Sequence, residues 1–259
     1  MRKLLILLCF LSTNTFLYSQ EKVILSHAIK PYDFIEISLE LDNKPSDKFH
    51  LVKIDSIVTI TNKDENLKNN HDAENIFRRG NVLMRYEVPS KKFKTLEIKG
   101  TLKYFIASED NKSYFKLGKL KNLKKNTNLI DATLANKNAL YFSIADSTAI
   151  NKAFPDFKFR TDDKSAYKKI DFKFYDLILA YKSSKAQDFL VVVNDEVQFG
   201  YNNLTLTEAK TGIVYKLIKL KREMPKAERD EITIELLIEN EDSIKIVPFE
   251  FNNVVVKEY

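Results

Sequence analysis

Tryptophan is missing from the 259 residues, cysteine occurs once, glycine five times and histidine three times. Each shortage removes a class of chemistry. Cys9, the single cysteine, lies inside an N-terminal apolar run, so the rest of the chain has neither disulfide nor thiol chemistry. Gly80, Gly100, Gly118, Gly200 and Gly212 are scattered and form no phosphate loop or dinucleotide fingerprint. His27, His50 and His71 offer no His-x-x-x-His spacing for a closed zinc site. Without tryptophan there is no antibody-type core pin, and the best stacking side chain for sugars is missing.

Long apolar runs are also absent. Leu4–Leu11 is too short to cross a bilayer, which takes about 20 residues. Preceded by Met1, Arg2 and Lys3 and followed by Ser12, Thr13 and Asn14, it reads as a secretory signal peptide over residues 1–20. Cleavage is expected near Ser19 or Gln20. Leu7 and Leu8 precede Cys9 where a lipid-attachment site needs small residues, so the expected product is exported and not a lipoprotein. Loss of Arg2 and Lys3 with the leader takes the net charge from +6 to +4. Export without disulfides points to a bacterial protein, periplasmic or on the cell surface, that does not span the membrane once the leader is gone.

What is abundant is alternation. From Phe93 to Ile106, Leu96, Ile98, Leu102, Tyr104 and Ile106 recur with period two, opposite Thr95, Glu97, Lys99, Thr101 and Lys103. That is a half-buried antiparallel strand. Asp33–Leu41, Phe49–Thr61, Val82–Val88 and Tyr114–Leu117 show the same habit, as does a first edge strand at Val23–Ser26. Further strands are expected at Ala139–Ala145, Ile170–Ala180, Phe189–Val193, Val197–Leu206, Val214–Lys221, Glu231–Ile238 and Ile244–Val256. Short helices are expected at Asp72–Arg79, stopped by Gly80, and at Ser147–Phe154, capped by Ser147. With so few glycines, turns fall to Asn, Asp and Lys.

The polar stretch Lys124–Lys137 divides the pattern. The expected fold is all-β: two tandem antiparallel β-sandwiches, immunoglobulin-like, over residues 21–125 and 126–259. Tyr32-Asp33-Phe34-Ile35 resembles Tyr175-Asp176-Leu177-Ile178, and Leu120-Lys121-Asn122-Leu123 resembles Phe251-Asn252-Asn253-Val254, hinting at a duplication.

Candidate chemistry is sparse. His71, Asp72 and Glu74 sit too close together for a metal cage, and Asp64, Glu65, Asn69 and Asn70 beside them lack the EF-hand register. Both read as a solvated loop. There is no Gly-x-Ser-x-Gly elbow, and the pairs Asp162-Asp163 and Glu241-Asp242 are neighbours in turns. No catalytic, cofactor-binding or metal-binding residue is assigned, no cofactor is expected, and the binding residues are left open.

Lys112, Lys116, Lys119, Lys121, Lys124 and Lys125 form one basic cluster, and Lys216, Lys219, Lys221 and Arg222 a second. Both read as wet strand faces and edges rather than nucleic-acid sites. Tyr32, Phe34, Phe174 and Tyr175 are expected to pack in the core. The leading expectation is a non-enzymatic binding or structural module that meets an envelope or cell-surface protein through strand edges and loops. A carbohydrate- or glycolipid-binding accessory protein is the second reading, and a hydrolase with a carboxylate pair between domains the third.

Overall fold

A computed structural model of the chain describes residues 21–70, 75–132, 135–136, 140–160, 167–182, 189–198, 203–220 and 225–258. The expected leader lies outside them. The fold is all-β and sandwich-like, built from β1 (Val23–Lys30), β2 (Phe34–Leu41), β3 (His50–Thr61), β4 (Val82–Glu87), β5 (Leu96–Ile106) and β6 (Tyr114–Lys119). There follow β7 (Tyr141–Ala145), β8 (Lys158–Arg160), β9 (Tyr167–Lys169), β10 (Leu177–Lys182), β11 (Phe189–Val193) and β12 (Glu196–Val197). β13 (Asn203–Thr207), β14 (Val214–Ile218), β15 (Thr233–Ile238), β16 (Ile244–Val254) and β17 (Lys257–Glu258) complete the set. Two short helices, α1 (Ser147–Ala153) and α2 (Lys226–Asp230), accompany them. Among the described residues no helix is long and apolar enough to cross a membrane.

The chain forms two compact units, and they are not consecutive. One comprises residues 21–106 and 244–258, the other residues 107–243. This differs from a consecutive pair divided at 125/126. β16, expected to close the second half, pairs antiparallel with β5 from Ile244 opposite Phe105 to Val254 opposite Leu96. β5 needs a partner on each side, and β3 supplies only one of them. The resemblance of 120–123 to 251–254 therefore joins a segment of one unit to a segment of the other, and no longer pairs two domain ends.

In the first unit the sheets run β17-β1-β2-β4 and β16-β5-β3. Their inner faces share one core, with Ile35, Ile37 and Leu39 from the first meeting Leu96, Ile98 and Leu102 from the second. These are the alternating residues of β2 and β5, so the period-two pattern is the core. Residues 75–79, expected to be helical, form no helix, and Arg78 makes an antiparallel bridge to Val52 instead. Asn75 donates Nδ2 to the Ile54 carbonyl (2.8 Å) and accepts the Ile54 N–H (3.2 Å), while Arg78 exchanges backbone bonds with Val52. Phe77 is buried 5.5 Å from the Phe105 ring. Edge pairing and burial of one aromatic outweigh a weak helical preference.

In the second unit the sheets run β13-β14-β10-β7 and β12-β11-β15-β6, with β8-β9 a separate hairpin. One core joins Phe142, Leu179, Val191, Ile234 and Leu236 from both sheets. A second core covers the opposite face of β10, where Ile178 and Ala180 meet Ile150 of α1 and Phe172 of a 3₁₀ turn at Phe172–Phe174. A strand covered on both faces loses its alternation, so Leu177–Ala180 is apolar throughout and buried throughout. The expected strand at Ile170–Ala180 is correspondingly shortened to β10, preceded by the 3₁₀ turn. The cap of α1 is Asp146, one residue before Ser147, its carboxylate accepting the Ala149 N–H at 2.8 Å.

Candidate functional site

The first unit is open along one flank. β16 ends its sheet, and β17 pairs only with Ile29 and Lys30 of β1. Among the described residues, the outer edge of β16 and that of β1 before Ile29 therefore carry no partner strand. Between them runs an open groove of about 700 Å³, lined by Glu21, Lys22, Val23 and the continuous stretch from Lys245 to Phe251. Alternation along β16 turns Val247 and Phe249 inward, with Phe251 stacked on Phe249 at 5.8 Å. Ile246, Pro248 and Glu250 turn outward, and Ile246 is 51% exposed. Proline is tolerated on an edge strand because no ladder bond is required of it there.

At one end of this flank lies a polar cluster. Lys245 pairs with Glu21 and stands 6.0 Å over the Tyr104 ring. Burial, with the charges of Glu21 and Asp47, pushes the Tyr104 hydroxyl up to about 12. His50 Nδ1 lies 2.8 Å from Asp47 Oδ1, which also accepts the Phe49 N–H at 2.8 Å. Burial pushes Asp47 up, but these hydrogen bonds outweigh it and hold the carboxyl below its usual range. Lys44 Nζ donates to the carbonyls of Pro45, His50 and Arg79, and burial lowers its pKa. The arrangement fastens the loop that enters β3. On the β1-β2-β4 surface, Glu36 accepts Arg85 Nε at 2.9 Å and lies 3.4 Å from His27 Nε2, while Arg85 covers the Phe34 ring at 4.8 Å.

The second unit has its own concave site, of about 480 Å³, where four separate segments meet: Leu120–Lys125, Ile144–Ser147, Phe172–Ile178 and Arg229–Asp230. Its floor is apolar and its rim charged. Arg229 Nη2 donates to Asp176 Oδ1 at 2.8 Å, and Asp176 Oδ2 accepts the Leu220 N–H at 2.9 Å. Asp146 is engaged by Ala149 and by Asn126 Nδ2 (2.9 Å), which keep its carboxyl below the usual range.

The residues singled out in sequence scatter widely. His71, Asp72, Glu74, Asp162, Asp163, Lys221 and Arg222 lie outside the described residues. Glu65 binds the backbone N–H of Ser90 and Lys91, Asp64 takes a left-handed turn position, and Asn69 and Asn70 bond to β4, so this loop's polar groups serve the backbone. No group of three His, Cys, Asp or Glu side chains among the described residues is placed to hold a metal. Glu241 and Asp242 form a 3₁₀ turn ahead of β16.

Within the basic clusters, Lys119 and Lys121 converge on Glu231, Lys216 donates to the Gln198 carbonyl, and Lys219 covers Phe174 at 5.2 Å. Tyr32 and Phe174, expected in the core, are 82% and 70% exposed. Tyr32 lies in the β1–β2 turn, and Phe174 ends the 3₁₀ turn with Lys219 over its ring. The groove residues Leu120, Asp146, Asp176 and Arg229 carry no sequence motif; the first three lie just outside strands and Arg229 in α2.

The fold defines an all-β, sandwich-like protein. No protein family, curated protein or solved structure matches the chain.

Proposed function

We propose that this chain is an exported, non-enzymatic binding and structural module of the bacterial envelope, with immunoglobulin-like sandwiches, that meets a protein partner through strand edges and loops. The open flank of the first unit carries this reading. Among the described residues, two strand edges without a partner strand border one groove whose inner wall is apolar, which suits an extended partner segment adding to the edge through main-chain bonds. Alternate side chains of that segment would reach Val247 and Phe249 on one side and Ile246 on the other.

In-cell cross-linking and pull-down of the tagged protein tests it. A reproducible envelope protein partner that is lost when Ile246→Asp and Phe251→Asp are introduced supports edge docking. Recovery of the same partner in undiminished yield by that folded variant removes the flank from the contact, and turnover of a substrate by the purified chain sinks the non-enzymatic reading. The second reading, a carbohydrate- or glycolipid-binding accessory protein, is favoured by one observation: the half-buried Tyr175 ring lines the second unit's groove together with apolar Leu120, Leu123 and Phe172.

A further inference from the structure

The groove of the second unit holds more donors than acceptors once its internal bonds are counted. Four cationic side chains line it, Lys121, Lys125, Lys173 and Arg229, against the carboxylates of Asp146, Asp176 and Asp230. Lys121 is held by Glu231, outside the groove. Arg229 and the Leu220 N–H occupy both oxygens of Asp176, and Ala149 and Asn126 occupy those of Asp146. What remains is uneven. Lys173 makes no side-chain hydrogen bond or ion pair among the described residues, Lys125 makes no side-chain hydrogen bond there and feels only the nearby charge of Asp146, and the buried Nε of Arg229 has no acceptor. Among the described residues, Asp230 is the one groove carboxylate with no side-chain hydrogen bond or ion pair.

The shape adds a second constraint. A site of about 480 Å³ is far larger than a bare inorganic anion needs and falls within the range of small organic ligands. Its floor is apolar, formed by Leu120, Leu123, Leu177 and Phe172, with the half-buried Tyr175 ring in the wall. A matching ligand has an apolar ring face, hydroxyls and an anionic group. We propose that this groove binds a uronic-acid sugar: the carboxylate taken by Lys125 and Lys173, the ring against the apolar floor, the hydroxyls by Asp230 and Tyr175. The inference rests on the carbohydrate reading and is independent of the flank of the first unit.

Trigalacturonate and its fully methyl-esterified form separate the two, since they share every ring and hydroxyl and differ in charge. Calorimetric titration of the full chain is expected to show the free acid bound about tenfold more tightly than the ester, as two partly exposed charge contacts allow. The double variant Lys125→Ala with Lys173→Ala, both on the surface, is expected to remove that preference while leaving the circular dichroism spectrum unchanged. At an ionic strength of about 1 M, where screening acts within about 3 Å, the acid should fall to the level of the ester. Equal binding of acid and ester overturns the uronate inference but not the carbohydrate reading. Binding of neither overturns both, and a preference that survives the double variant overturns the site.

Discussion

Replacing Gly100 by alanine tests the description of the first unit at its tightest point. In an ordinary strand the change helps, by about 0.5–1 kcal/mol, because glycine loses more backbone freedom on folding. At Gly100 the new Cβ would lie 2.1 Å from the Ser56 carbonyl oxygen and 2.9 Å from the Ile57 Cα. Ordinary contact begins at 3.4 Å, so the space falls short by more than 1 Å, and every obstructing atom is backbone. No rotamer change relieves it.

β3 must then move off β5 beside the bulge between Ile54 and Ser56, where Ser56 pairs with Thr101 and Ile57 with Gly100. Overpacking of this kind costs about 1–3 kcal/mol, and a lost ladder bond about 1 kcal/mol more. The clash outweighs the entropic gain, and Gly100→Ala is expected to destabilise the protein by about 1–3 kcal/mol net. Urea unfolding followed by circular dichroism and tyrosine fluorescence reads the loss as a lower midpoint. Gly80→Ala is the control, since its Cβ would meet nothing within 4 Å, and its effect should stay within about 0.5 kcal/mol. A Gly100→Ala protein as stable as the parent would refute the close approach of β3 and β5.

Ile150→Ala, removing the fully buried anchor of α1, should cost about 2–4 kcal/mol in the same unfolding assay. Asp146→Ala should cost about 1 kcal/mol as a lost helix cap. Because the Asp146 carboxyl titrates below its usual value, its contribution is present above about pH 4 and disappears as pH falls through the folded value; the parent should lose stability there, and the Asp146→Asn protein should lose less. Tyr104, raised to about 12, favours the fold below about pH 10, and that contribution fades as pH climbs toward 12. Ultraviolet titration should find Tyr104 among several late phenols, since Tyr86, Tyr175 and Tyr215 are raised as well, and Glu21→Gln should bring Tyr104 alone down without restoring the ordinary value, since burial is the larger cause.

Legibility in the sequence followed exposure. β2 and β5 have one face in the core and one outside, so their hydrophobic residues alternate and were readable. β10 has apolar cover on both faces, which erases the alternation, and its run merged with the Phe172 turn. The expectation that Asn, Asp and Lys make the turns is realised in the backbone. Among the described residues, the left-handed positions outside glycine are Asn43, Asp64, Lys112, Asn126, Asn194, Asp195 and Asn253. Asn194 and Asp195 together form the two-residue turn between β11 and β12, a turn that asparagine and aspartate tolerate because their side chains bond locally. The groove of the second unit was not legible. Its walls are the ends of four segments, and nothing in the spacing of Leu120, Asp146, Asp176 and Arg229 says that they converge.

The division of the chain was hidden for a related reason. β16 alternates as any half-buried strand does, and alternation specifies a face, not a partner. The nearest strand in sequence, β15, was the natural neighbour to expect, yet β16 pairs with β5 across the whole second unit. Such an insertion is energetically mild when its two ends leave from adjacent positions, because closure entropy grows only slowly with the length enclosed. Here they do: Phe105 and Ile244 face each other in the ladder just before and just after the inserted residues. Inside the second unit the chain leaving β5 and the chain approaching β16 are bound to each other as well, through Ile238 N–H to the Ser113 carbonyl and Asn240 Nδ2 to that of Asn111, at the end of the β6–β15 ladder. β5 and β16 thus behave as one hairpin whose loop has become a separate compact unit, and the edge that β16 leaves free is the same whether that loop is short or long.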